Sequence, residues 1–155
     1  MLLRNNVRVA LGTLLASTLY PPAVAAGLAL VASARKAFNP SSKDSIYAPS
    51  FQRLTAWLLL ALALLEGITG FGAGAPTSAI ISELTFGVLN RGNSTTLHIA
   101  LIGPLTLFFI LHSTSGIGWM LFRRGVRSWY VFELAIPATT LGLYAVAIYL
   151  YSLFF

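Results

Sequence analysis

The sequence has no cysteine and very little negative charge. Of its 155 residues, none is cysteine, two are histidine and four are aspartate or glutamate. Without cysteine there can be no disulfide, thiolate-bound iron–sulfur cluster or cysteine nucleophile. With so few histidines and acids, we do not expect an enzyme built on a protein-bound metal cluster.

Apolar residues dominate what remains. They make up 57% of the chain, while only 9% of the residues are charged, a balance typical of integral membrane proteins. The formal net charge is +6, but the basic residues stand at the ends of apolar segments, where side chains meet lipid headgroups. We therefore expect a protein of the lipid bilayer with no nucleic-acid partner.

Four apolar segments are long enough to cross a bilayer. They lie at about residues 9–34, 54–74, 96–121 and 130–153. The fold class predicted is therefore all-α: a single transmembrane domain over 1–155, formed by a four-helix bundle. Residues 75–92 are less apolar and predict a short interfacial helix between spans two and three.

The first segment is interrupted by Pro21 and Pro22. A proline pair removes backbone donors, so we expect a kinked helix that bends near Tyr20. The basic start of the chain and the Ala-Ser-Ala at 32–34 also fit a secretory signal with its cleavage site. We favour a retained helix.

Basic residues give an expected orientation. Four spans put both termini on one side, together with Arg4, Arg8 and Arg91. The connections after spans one and three hold seven basic residues, namely Arg35, Lys36, Lys43, Arg53, Arg123, Arg124 and Arg127. Because cytoplasmic connections are enriched in Lys and Arg, the sequence predicts a plasma-membrane protein with its termini outside.

Both histidines lie in the third apolar segment, which carries no formal charge between Arg91 and Arg123. His98 and His112 are fourteen positions apart, which places them about 21 Å apart on nearly the same helix face. An ionisable residue within a membrane span is a functional candidate. The spacing suits two haems stacked across the bilayer, each iron bound by one imidazole.

Each six-coordinate iron needs a second ligand, and the chain has no third histidine. Met120 is on the same helix as His112 and cannot reach the opposite face of one haem. A homodimer about an axis along the membrane normal would pair His98 with His98 and His112 with His112. A membrane partner with its own histidine pair would serve equally well.

Glycines and charged residues near the histidines are further candidates. Gly67, Gly70 and Gly74 leave a smooth face on span two, suited to a helix or a flat cofactor. The other candidates are grouped by expected role: Gly103 and Gly116 to admit a porphyrin, Arg91, Arg123 and Arg124 to meet haem propionates or lipid headgroups, and Glu66 as a proton site or a hydrogen-bond partner for a neighbouring helix.

These residues resemble a known family. The LEGITG at the end of span two, the amphipathic segment, an Arg-Gly at 91 and the His-x13-His spacing resemble the first haem-binding hairpin of the cytochrome b of quinol-oxidising respiratory and photosynthetic complexes, over about residues 54–125. The resemblance implies haem ligation by His98 and His112, haem packing near Gly70 and electron transfer linked to quinones. The family's second histidine hairpin and its quinol-oxidation motif are missing from this chain.

We therefore expect a membrane b-type cytochrome that binds two b haems and carries electrons across the bilayer, between quinol or a partner reductase and an acceptor. It would be an electron-transfer protein or an oxidoreductase subunit. One alternative is a haem-free anchor subunit whose histidines hydrogen-bond between helices. Another is a transporter that uses Glu66, although the sequence has no paired broken helices or inverted repeat.

Overall fold

A computed structural model describes residues 4–18 and 20–153, and within these ranges the chain is helical with no strand. The elements are α1 (Asn5–Ala16), α2 (Pro21–Ser33), a 3-10 turn (Arg35–Phe38), α3 (Pro49–Ala73), α4 (Ser78–Leu84), α5 (Arg91–Arg123), a π-helical turn (Tyr130–Ala135) and α6 (Ile136–Ser152). Among the described residues, three helices are long and apolar enough to cross a membrane: α3, α5 and the helix Tyr130–Ser152. The all-α prediction is confirmed.

The helix that carries both histidines begins earlier than expected, at Arg91. The side chain of Asn90 accepts hydrogen bonds from the backbone N–H groups of Gly92 and Asn93, and the Asn93 side chain accepts one from the N–H of Asn90. This reciprocal capping satisfies donors that the first helical turn leaves free. The helix therefore starts about one turn before its apolar run, and α5 reaches 33 residues.

The first apolar segment differs from the prediction. The structure has no continuous kinked helix over 9–34 but two separate helices, α1 and α2, packed side by side. Pro21 and Pro22 occupy the first turn of α2, where a missing N–H costs nothing and the fixed φ favours helix initiation. The prolines therefore start a new helix instead of bending an old one.

Two glycines allow α1 and α2 to approach closely. A Cβ added to Gly12 would lie 2.6 Å from the carbonyl oxygen of Gly27, and a Cβ on Gly27 would clash with the Gly12 carbonyl oxygen. Small residues at such crossings let helix backbones meet. The contact makes α1 and α2 a helical hairpin.

The connection between α2 and α3 packs into the core beside the C-terminal part of α5. Tyr47 is buried, its ring lies against Gly118, and its hydroxyl donates to the carbonyl oxygen of Phe132 at 2.8 Å. Burial, and to a lesser extent the charge of Glu133, raises the pKa of the Tyr47 hydroxyl. This core holds the beginning of α3 in register with the end of α5.

Helix α3 pairs with α5 in antiparallel fashion along most of its length. Gln52 at the start of α3 donates to Ser115 at 2.5 Å, and Gly72 near its end packs against Ser94. The remaining faces of α3 carry exposed apolar side chains, including Trp57 (70% exposed) and Phe71 (62%). The α3–α5 pair thus forms one flank of the molecule, with an open outer face.

Hydrogen bonds attach α6 to the side of α5 opposite α3, and α1 to α6. Thr140 of α6 donates to Thr114 of α5 at 3.0 Å, and Tyr144 and Thr13 share a buried hydrogen bond of 2.8 Å. Buried hydroxyls in an apolar interior are costly when unpaired. These pairs therefore favour one arrangement of α1, α5 and α6.

Candidate functional site

The side chain of His98, on α5, packs against α3. Its Nδ1 is 3.2 Å from the backbone carbonyl oxygen of Glu66 and 3.2 Å from the carboxylate oxygen Oε1 of the same residue. Both neighbours are acceptors, so an N–H at Nδ1 donates to them and leaves the lone pair of the neutral ring on Nε2. The ring also lies against Gly70, where an added Cβ would be 3.1 Å from the histidine Cε1.

His112 makes the corresponding contact three turns earlier on α3. Its Nδ1 is 2.8 Å from the hydroxyl oxygen of Thr55. That hydroxyl is 3.1 Å from the carbonyl oxygen of Phe51, to which it donates, so its own oxygen accepts from an N–H at Nδ1. The lone pair of this imidazole is again on Nε2.

The two histidines therefore share one arrangement. Each holds Nδ1 against an oxygen of α3, and each side chain is half-buried at the edge of the α3–α5 pair; the side chain of His98 is 36% exposed. A metal-ligating histidine characteristically donates its second N–H to a carbonyl, carboxylate or other acceptor, which fixes the tautomer and the ring orientation. The donor set fits axial ligation of haem iron by Nε2.

No cluster of three or more histidine, aspartate or glutamate side chains that would suit a metal ion occurs within residues 4–18 and 20–153. A non-haem metal ion would need several ligands from one cluster. Haem iron needs one imidazole on each axial side, because the porphyrin supplies the other four ligands.

Three of the glycines expected to border a flat cofactor lie near the histidines or on the open face. Gly70 contacts the ring of His98, and Gly116 is one turn from His112, where an added Cβ would be 3.4 Å from the Gln52 side-chain oxygen. Gly67 is exposed, and a Cβ there would meet nothing within 4 Å. Of these three positions, Gly67 faces open space, while Gly70 and Gly116 pack against the side chains of His98 and Gln52.

Gly103 is in a different place from the one expected. A Cβ on it would lie 2.7 Å from the carbonyl oxygen of Ser17 and 2.9 Å from the ring of Tyr151. It therefore packs α5 against α1 and α6, on the face away from α3. An apolar cavity of about 340 Å³ between α5 and α6 includes Gly103 in its lining, and neither histidine lines it.

The three predicted arginines are exposed at the ends of α5. Arg91 begins the helix seven residues before His98, about 10 Å along the axis. Arg123 ends it, with its guanidinium over the ring of Trp119 at 5.9 Å, and Arg124 follows as the C-cap. Their exposed positive charges at the two ends suit propionates or lipid phosphates.

Glu66 was expected as a proton site or a partner for a neighbouring helix. Its Oε1 faces His98, and its Oε2 is buried with no hydrogen-bond partner. The sequence alone links neither Glu66 to His98 nor Thr55 to His112. The available signal was the spacing on α3: Thr55 and Glu66 are eleven residues apart, which is three turns on one face, antiparallel to the histidine pair.

Comparisons with models of protein families, with curated proteins and with solved structures found no match for this chain.

Proposed function

We propose that this protein is a membrane b-type cytochrome that binds two haems at His98 and His112, shared between two copies of the chain, and carries electrons across the bilayer. The observation that carries the proposal is the common setting of the two imidazoles. Both lie on one helix, both engage Nδ1 with an acceptor on α3, and both therefore carry the lone pair of the neutral ring on Nε2.

The second ligand of each haem must come from another chain. Within residues 4–18 and 20–153 there is no third histidine, and the outer surface of α3 is largely exposed. A second copy in parallel orientation would bring its own His98 and His112 to the same two depths. Bound haem supplies the one-electron redox chemistry.

The residues of this chain set the conditions for that chemistry. Thr55 and Glu66 hold the imidazoles in one orientation and fix their Nε2 lone pairs. Gly70 keeps a side chain away from the His98 ring. The helix fixes a separation of about 21 Å between the two ligands, and the exposed arginines at its ends complement propionate charge. The proposed location is the cell membrane, with quinol or a partner reductase as donor.

A haem-free anchor subunit is the second candidate, and one observation favours it. The contacts of His98 with Glu66 and of His112 with Thr55 are also hydrogen bonds between two membrane helices, which can stabilise helix association without any cofactor. In that case the histidines would be packing residues, and the open face of α3 would meet another subunit.

A reduced-minus-oxidised visible spectrum of the protein, purified from cells supplied with haem, separates these candidates. The cytochrome predicts low-spin b-type bands in the wild type and their loss in a His98→Ala, His112→Ala double variant that retains the helical circular dichroism of the wild type. A folded wild type without haem bands overturns the cytochrome and leaves the anchor.

A further inference from the structure

The start of α1 and the end of α2 lie at the same end of the molecule. The Arg4 guanidinium pairs with the Asp44 carboxylate at 2.7 Å, and Arg8 donates to the Ser33 hydroxyl at 2.8 Å. A chain that crossed the membrane once between residues 9 and 34 would instead have these partners on opposite sides. The contacts therefore count against the topology in which the first segment is a complete span.

The hairpin is also too short to cross. Helices α1 and α2 have 12 and 13 residues, or about 18–20 Å, against a hydrocarbon thickness of about 30 Å. Its turn lies level with Gly103, which contacts the Ser17 carbonyl oxygen, about 18 Å from the Arg91 end of α5. Helix α3 runs on past that level, until Gly72 meets Ser94.

Side-chain hydroxyls at the end of α1 are paired within the protein, as a position inside the bilayer requires. The hydroxyls of Ser17 and Thr18 donate to the carbonyl oxygens of Leu14 and Leu15, at the end of α1. A helix end within the bilayer must satisfy such carbonyls inside the protein. The bond between Thr13 and Tyr144 attaches the hairpin to α6.

We infer that α1 and α2 form a re-entrant hairpin, so that the chain crosses the membrane three times and gathers nine of its ten basic residues on one face, which contacts the anionic headgroups of the cytoplasmic leaflet. Only Arg91 stays on the other side. The basic face consists of Arg4, Arg8, Arg35, Lys36, Lys43, Arg53, Arg123, Arg124 and Arg127.

This arrangement changes the predicted orientation. Four spans divided the basic residues seven to three, whereas the hairpin divides them nine to one. Since positive charge marks the cytoplasmic side, the N-terminal end now lies in the cytoplasm and the C-terminal end of α6 outside. The inference holds whether or not haem is bound, because it depends on the hairpin and the charges alone.

The natural absence of cysteine makes the test direct. Single cysteines are introduced by Asn5→Cys, Ser41→Cys, Ser128→Cys and Val88→Cys, and each variant is labelled with a membrane-impermeant maleimide in right-side-out and in inside-out vesicles. The hairpin predicts that the first three label only from the cytoplasmic side and Val88→Cys only from outside. Labelling of Asn5→Cys and Ser41→Cys from opposite sides overturns it.

The contact of the basic face with anionic headgroups is tested in a separate experiment. The thermal midpoint of the protein is measured in nanodiscs of phosphatidylcholine alone and in nanodiscs containing phosphatidylglycerol, at low and high salt. We expect a higher midpoint with the anionic lipid, reduced by salt and reduced again in an Arg35→Gln, Lys36→Gln, Lys43→Gln variant. Equal midpoints in the two lipids would overturn the headgroup contact.

Discussion

The two histidines of α5 have different surroundings. Near the start of α5, His98 contacts the carboxylate and the backbone carbonyl oxygen of Glu66, and its ring packs closely against Gly70. Nearer the end of α5, His112 contacts the single hydroxyl of Thr55, and Gly116 is one turn away. The α5 helix fixes the spacing of the imidazoles, while α3 fixes the orientation and electronic setting of each one. Two haems held in this way would be chemically distinct.

The largest effect is expected from removing either proposed haem ligand alone. His98→Ala and His112→Ala should each abolish one of the two haem sites, because no other described imidazole can replace the lost one. Haem per chain, measured as the pyridine haemochrome, should fall to about half in each variant. Unchanged haem content in either variant would show that the histidine concerned is not a ligand.

Thr55→Val should have the next largest effect. It removes the hydroxyl that accepts from His112 and leaves the Nδ1 hydrogen without that partner, and loss of such an outer partner costs about 10- to 100-fold in metal-site affinity. Haem titration of the apoprotein measures the change. Thr69→Val, also on α3 but remote from His112, is the matched control and should leave the His112 site at wild-type affinity.

Gly70→Ala tests how closely the His98 ring is packed. The new methyl group would lie 3.1 Å from the His98 ring, and the ring must move by a few tenths of an ångström at a cost of about 1 kcal/mol, the low end of overpacking. We expect a fall in haem affinity at the His98 site of about fivefold. Gly142→Ala, where a Cβ meets nothing within 4 Å, is the control for the helix-forming gain of alanine.

Gly116→Ala, beside the other histidine, should differ from Gly70→Ala. Its added methyl would lie at ordinary contact distance from the Gln52 side chain, 3.4 Å away, so affinity at the His112 site should stay within about twofold of wild type. Equal losses in the two alanine variants would mean that crowding does not distinguish the two ends.

The smallest effect on affinity is expected from Glu66→Gln. The backbone carbonyl oxygen of residue 66 remains as an acceptor for His98, so the ring keeps its orientation. The substitution removes the negative charge of the second acceptor, the Glu66 carboxylate, and the loss of this charge makes the His98 imidazole less basic. In a redox titration the midpoint potential of the His98 haem should rise and that of the His112 haem should not; a shift confined to the His112 haem would contradict the assignment.

The sequence predicted the long helices well because their apolar runs are continuous and bounded by charge. It also placed both histidines on one helix, since only helical spacing is needed for that inference. The structure of the first segment could not be predicted in the same way, because composition does not distinguish one kinked span from two short helices. The difference lay in the contact between Gly12 and Gly27, which is tertiary.

The neighbours of Gly103 could not be predicted from the sequence, for a related reason. A glycine in an apolar helix predicts a close approach, but the sequence does not say what approaches. The structure places α1 and α6 there. Thr55 was overlooked because threonine is common in membrane helices, and its role depends on the register of α3 against α5.

Haem binding by a dimer is tested by the number of haems per chain in the purified wild-type protein, measured together with the mass of the particle. Two haems shared by a symmetric dimer predict one haem per chain in a particle that contains two chains. A folded dimer with no haem, made with haem available, would contradict the account, and so would a haem-loaded monomer.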